Sequence, residues 1–304
     1  MTIIAPFPGM EPLARSMAAT SGAEIQPVDA HHFPDGETLV TLGGDPSGRE
    51  IAFLATLRDP DRLALPLRFA ALTAHELGAE CVGLVAPYLG YMRQDKRFHP
   101  REAVSAPIFA RFIDECFDWV MTADPHLHRN PSLSALFRIP AYRVATAPLL
   151  ADWIAANVPE AVLLGPDSES QQWVAEVARL AGRPYEVLTK HRSGDRQVEI
   201  SLPDSAAFRQ GTPVILDDIA SSGHTLIQTL ERLGQAGARP ATCVIIHAVF
   251  AHGAEEAIRH AGAARIVSTD TIPHSTNAVC VGELLATEMK VAQCATLPSS
   301  YWKN

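Results

Sequence analysis

The sequence predicts an α/β protein built on parallel sheets flanked by helices, and three observations carry that prediction. Short apolar runs alternate with segments of helical apolar spacing from one end of the chain to the other. A polar loop follows the runs, so strand, loop and helix recur in the same order in both halves. The 304 residues are also close to twice the roughly 150 expected of one domain.

Taken in order, the apolar runs Ile51 to Leu57, Cys81 to Ala86 and Trp119 to Thr122 are the predicted strands of the first half. Leu63 to Leu77 and Ser105 to Phe117 lie between them with apolar residues at helical spacing. Ala141 to Pro148 holds neither pattern and sits near mid-chain, so the domain boundary is predicted there. In the second half the strands are Ala161 to Leu164, Val214 to Leu216, Thr242 to Ala248 and Arg265 to Ser268. Gln171 to Leu180, Thr225 to Leu233 and Ala254 to His260 are its helices. Residue-level similarity between the halves is weak, so the duplication is one of architecture.

Composition narrows the function. Lys and Arg number 25 against 34 Asp and Glu, a formal charge of −9, which argues against duplex nucleic acid or an anionic membrane as partner. A local basic site remains compatible with it. With 47% hydrophobic and 19% charged residues, intrinsic disorder is excluded. No segment reaches the roughly 18 to 20 apolar residues of a membrane helix. The start, MTIIAPFPGMEPLARS, lacks the basic region of a secretory signal. Five cysteines, odd in number and without a CxxC pair, fit a reducing cytoplasm better than a disulfide framework or a thiolate zinc site. A cytoplasmic location is expected.

In open α/β sheets ligands bind at the carboxyl ends of strands, so the polar residues after each apolar run are read first. PVILDDIASSGHT (213–225) delivers two adjacent carboxylates, Asp217 and Asp218, then small residues opening a helix whose first turn includes Ser222, Gly223 and Thr225. Carboxylates there suit sugar hydroxyls or, through water, magnesium, and the helix start suits a phosphate. The bland reading is an acidic turn with an ordinary cap. PYLGYMRQDK (87–96) brings Arg93, Gln94 and Lys96 together, a set suited to polyphosphate or otherwise a solvated turn. HHFPDGE (31–37) reads by itself as a turn. ADPH (123–126) ends a strand with His126, either a ligand to metal or phosphate or a hydrogen-bonded side chain.

FPDGE, PYLGYMRQDK, DPH, LTKHRSGDR and LDDIASSGHT, with STDTIPHS near the end, occur together in one order. That series resembles the ribose-phosphate pyrophosphokinases, the phosphoribosyl diphosphate (PRPP) synthetases, over nearly the whole chain. The resemblance implies two phosphoribosyltransferase-type domains, 1–145 completed by 286–304, and 146–285. It also implies transfer of the β,γ-diphosphate of Mg-ATP to the C1 hydroxyl of ribose 5-phosphate, giving PRPP and AMP. Phe33, Asp35 and Glu37 then match adenine contacts reaching a neighbouring subunit's ATP, in a homo-oligomer, dimer or hexamer. Arg93, Gln94 and Lys96 match the residues that hold ATP. His126 matches both an ATP contact and a magnesium ligand, Asp167 a second magnesium ligand. Lys190 and Arg192 match the catalytic loop, whose cations would meet charge spreading over a transferring phosphoryl group. Asp217, Asp218, Ser221, Ser222, Gly223, His224 and Thr225 match the ribose 5-phosphate loop.

The chain also departs from the family's pattern. His224 stands where a glycine is usual, adding a side chain and disfavouring positive φ at that position. Ser168, Glu169 and Ser170 follow Asp167 where glycines are usual, and Glu169 adds negative charge. These changes keep two alternatives in play: a diphosphokinase for another pentose phosphate, and a non-catalytic subunit associated with PRPP synthetase. The Lys190 and Arg192 pair argues against the second, because a binding protein needs no cations for a transition state.

Overall fold

The computed structural model describes residues 2–127, 132–167, 170–193, 197–201 and 210–292, and only the backbone at 189–193, 197–201 and 291. Two compact units emerge, one comprising the chain through Val144 and again from Val281, the other Ala145–Cys280.

The first unit is a six-stranded parallel sheet of order β2-β1-β5-β6-β7-β8. Its strands are β1 (Ile3–Pro6), β2 (Glu24–Ile25), β5 (Glu50–Leu54), β6 (Cys81–Val85), β7 (Trp119–Ala123) and β8 (Ala141–Val144). β1, β6 and β7 are buried along their whole length. Strands covered on both faces carry no polar alternation, which is why they read as continuous apolar runs. Phe53 anchors the core, its ring edge-on to Phe7 and to Phe117 at 6.2 and 6.3 Å. Helices α1 (Glu11–Ser21), α2 (Pro60–Glu76) and α3 (Ser105–Asp114) belong to this unit. β3 (Val28–His32) and β4 (Thr38–Leu42) form a separate antiparallel hairpin.

The predicted featureless stretch Ala141 to Pro148 is corrected: it contains β8 and opens α4 (Ala147–Asn157). β8 lies at the sheet edge and leaves Arg143 exposed, and Pro148 sits in the first turn of α4, so both periodicities are blurred.

The second unit repeats the plan with a parallel sheet of order β10-β9-β13-β14-β15-β16. The strands are β9 (Ala161–Gly165), β10 (Tyr185–Val187), β13 (Thr212–Ile219), β14 (Ala241–His247), β15 (Ala263–Thr269) and β16 (Asn277–Val279). β11 (Thr189–Ser193) and β12 (Gln197–Ser201) pair as an antiparallel hairpin. The sheet has a hydrophobic core on each face. Leu163, Val214 and Leu216 pack with α4 and α5 (Gln171–Ala181). Leu164, Ile215 and Cys243 pack with α6 (His224–Gln235) and α7 (Ala254–His260). After Val281 the chain returns to the first unit as α8 (Gly282–Val291), whose Lys290 Nζ donates to the Thr20 carbonyl of α1 at 3.2 Å.

One sequence expectation fails at the cysteines. Cys81 is disulfide-bonded, whereas Cys116, Cys243 and Cys280 are not.

Candidate substrate site

In the first unit the sequence-predicted residues sit on loops at the carboxyl side of the sheet and on the β3–β4 hairpin. The hairpin turn is closed by Phe33 N–H donating to the Glu37 carbonyl at 2.8 Å and Gly36 N–H donating to the Phe33 carbonyl at 3.0 Å. Asp35 Oδ1 accepts from Glu37 N–H at 3.1 Å, so this carboxylate is partly spent on its own turn. Phe33 projects its ring at 41% exposure, edge-on to His31.

The loop after β6 is clamped at its base. Leu89 and Met92 are buried, and Gly90 lies where a Cβ would come within 2.6 Å of the Leu57 carbonyl oxygen, so no larger residue fits. Between them Tyr91 has a φ of 66° and donates its hydroxyl to the Asp61 carboxylate at the start of α2. That hydrogen bond raises the phenol above its ordinary range. Arg93, Gln94 and Lys96 emerge exposed from this base. Gln94 is tied to the start of α3: Ser105 Oγ donates to its side-chain oxygen at 3.0 Å and Ala106 N–H to its carbonyl at 3.2 Å. Lys96 Nζ sits 5.0 Å over the Phe98 ring.

The ADPH loop leaves the neighbouring strand β7, and Ala123 N–H donates to the Pro87 carbonyl, which joins the roots of the two loops at 3.3 Å. Asp124 has a φ of 29°, and Arg143 of β8 donates to its carboxylate at 2.9 Å. His126, two residues on, is half-buried.

In the second unit Asp167 follows β9, half-buried, with its Oδ1 accepting from Ser170 N–H at 3.3 Å. Ser168 and Glu169 lie outside the described residues. Lys190 and Arg192 stand on β11 opposite Ile200 and Val198, and their side chains lie outside the described residues.

Asp217 and Asp218 fall inside β13, near its end, rather than on the turn after it. Successive strand residues face opposite sides of a sheet, so the two carboxylates are directed to different faces and do not chelate one ion together. Asp217 shares the α6 face with Cys243, whose thiol is pushed up to about 12 by burial first and by the Asp217 charge second. Asp218 Oδ1 accepts from Ile219 N–H at 2.9 Å.

The loop Ser221 to Gly223 is held by Ala251 N–H donating to the Ser221 carbonyl at 3.0 Å. Gly223, at a φ of 72°, starts α6, and a Cβ there would lie 2.7 Å from Ile258 Cδ1. The positive φ thus falls on Gly223 and not on His224, which is the first helical residue and bears no such strain. His224 and Ser222 are exposed, Thr225 half-buried, at the helix end where N–H groups lack intrahelical partners. Among the described residues no group of three or more His, Cys, Asp or Glu side chains is poised to hold a metal ion. No helix among them is long and apolar enough to cross a membrane.

The family model described as the N-terminal domain of ribose phosphate pyrophosphokinase matches residues 3–116, and that of the phosphoribosyl transferase domain matches residues 132–283. The chain belongs to the ribose-phosphate pyrophosphokinase family. Ribose-phosphate pyrophosphokinase of Methanothermobacter thermautotrophicus is 31% identical over 91% of this chain and 96% of its own length. That of Methanopyrus kandleri is 30% identical over 94% of this chain and 97% of its own. In fold, the crystal structure of phosphoribosylpyrophosphate synthetase from Mycobacterium smegmatis superposes with a TM-score of 0.83 at 21% identity, covering 96% of this chain and 98% of that one.

Three side chains that sequence reading did not single out support these family motifs: Asp61 on Tyr91, Ser105 on Gln94 and Arg143 on Asp124. Asp61 and Arg143 lie 30 and 19 positions from their partners, and no local pattern announces such bonds.

Proposed function

We propose that the protein transfers the β,γ-diphosphate of Mg-ATP to the C1 hydroxyl of ribose 5-phosphate, releasing AMP and PRPP. The observation that carries this reading is the joint rooting of the RQDK and DPH loops at adjacent strand ends, with Arg93, Gln94 and Lys96 exposed together. A cation cluster on a clamped base, in a chain of net charge −9, is a local attractor for a nucleotide triphosphate.

In this reading Phe33, Asp35 and Glu37 contact adenine, and Arg93, Gln94, Lys96 and His126 hold the ATP phosphates. Ser221 to Thr225 receive the 5-phosphate at the start of α6, where the helix dipole favours an anion. Asp217, on the α6 face, takes the sugar hydroxyls, with Asp218 on the opposite face a weaker contributor than the sequence alone suggested. Lys190 and Arg192 meet the charge that grows on the diphosphate as its bond to AMP loosens.

Magnesium fits this donor set. It takes one or two protein groups plus phosphate oxygens and water rather than an all-protein cage, and His126 and Asp167 are the groups offered. When bound it neutralises phosphate charge. The exposed Phe33 ring, together with exposed Leu39, Leu65 and Phe69 on β4 and α2, supports a homo-oligomer in which the hairpin tip reaches a second copy.

The test is AMP release from Mg-ATP over a panel of pentose 5-phosphates. Ribose 5-phosphate is expected to give the highest kcat/KM. The exposed His224 beside the phosphate loop favours one second reading, a different acceptor, and AMP release with another pentose phosphate but none with ribose 5-phosphate would establish it. No AMP with any acceptor, from folded protein that binds ATP, would overturn both.

A further inference from the structure

Tyr91 is a bulky residue in left-handed backbone, at a φ of 66°. Side chains with a Cβ disfavour that region, and such a residue persists where its surroundings over-determine it. Four constraints meet here. Its ring packs on Phe109 with centroids 4.9 Å apart. Its hydroxyl donates to Asp61 of α2. Its carbonyl accepts from Gln94 N–H at 3.0 Å. Gly90 before it leaves no room for a side chain, since a Cβ there would lie 2.6 Å from the Leu57 carbonyl oxygen, and Met92 after it is buried. A glycine at this position would relieve the backbone but leave the turn many more conformations.

We propose that Tyr91 and Asp61 form a positioning pair that aims Arg93 and Gln94. The hydroxyl–carboxylate bond holds the left-handed turn, and the turn sets the direction in which these two side chains leave the sheet. Neither Tyr91 nor Asp61 touches substrate in this assignment. The inference rests on the proposed ATP role of the RQDK loop and adds to it residues that act at one remove.

Steady-state AMP release at saturating ribose 5-phosphate, together with hydrogen exchange of the segment spanning residues 88–96, tests the pair. Tyr91→Phe and Asp61→Ala are each expected to raise the KM for ATP about three- to tenfold, the scale of one lost hydrogen bond, with kcat and the KM for ribose 5-phosphate within about twofold. The double variant is expected to be no worse than the poorer single one, because both remove the same bond. Asp61→Asn keeps an acceptor and is expected to restore near-normal KM. Amides of the loop should exchange faster in Tyr91→Phe and Asp61→Ala. An unchanged KM for ATP with unchanged exchange would overturn the proposal, as would additive losses or an equal rise in both KM values. Should the unaltered protein make no AMP with any acceptor, the function reading falls, and exchange alone decides whether the pair holds the loop.

Discussion

Cys243 lies on β14 among apolar side chains of the α6 face, with the Asp217 charge nearby, and its thiol is pushed up to about 12. Cys116, buried beside α3, is pushed up to about 11, again by burial first. Both values lie above the ordinary thiol range, so the sign of the linkage follows. At neutral pH the thiol is protonated in both native and unfolded chains, and the full stability is present. Above about pH 9 the unfolded chain ionises while the native one does not, and stability falls as pH rises toward the folded value, by up to about 1.4 kcal/mol per pH unit per thiol. Urea unfolding between pH 8 and 10.5 is expected to show a shallower loss in Cys243→Ala than in the unaltered chain. Parallel curves would show that Cys243 ionises as readily in the native state as in the unfolded one. At this scale the sequence was legible where a charged residue follows a buried apolar run, as with Arg93, which emerges exposed after β6. It was illegible where geometry decides: that Asp217 and Asp218 face opposite ways follows only once both are known to lie within β13.

Among elements, the start of α6 concentrates the most constraint. Gly223 combines a φ of 72° with an approach of 2.7 Å between a would-be Cβ and Ile258 of α7. Gly237, just beyond the same helix, has a φ of 70° but nothing within 4 Å. The two glycines therefore separate backbone strain from packing. Gly237→Ala is expected to cost about 1 kcal/mol and Gly223→Ala about 1 to 3 kcal/mol more, since α6 must shift against α7. Thermal unfolding of both variants checks this, and equal losses would mean that Ile258 yields freely. Gly223→Ala should also weaken ribose 5-phosphate, because the same shift moves the N–H groups that would receive its phosphate. Buried central strands were legible as apolar runs for the reason that neither face is solvated. β8 and β16 were not, because edge strands are short and half-exposed, and β1 was missed as an apolar run of only four residues.

For the whole molecule the governing quantity is charge. In the proposed reaction a chain of −9 meets two anionic substrates and needs cations where the diphosphate moves. In that reaction magnesium is expected to arrive with the nucleotide, because the triphosphate itself supplies oxygens that complete the ion's shell beside one or two protein groups. Structure and turnover should then respond differently to chelation. EDTA is expected to stop AMP release completely yet to leave the melting temperature of the nucleotide-free protein within about 1 °C, below the 2 to 4 °C that 1 kcal/mol produces in a chain of roughly this size. ATP should raise that melting temperature only when magnesium is present, by an increment that grows with the logarithm of the complex's concentration. A fall of several degrees on adding EDTA to the nucleotide-free protein would instead reveal a resident structural ion, and the division of labour between substrate-borne metal and fixed protein cations would have to be redrawn.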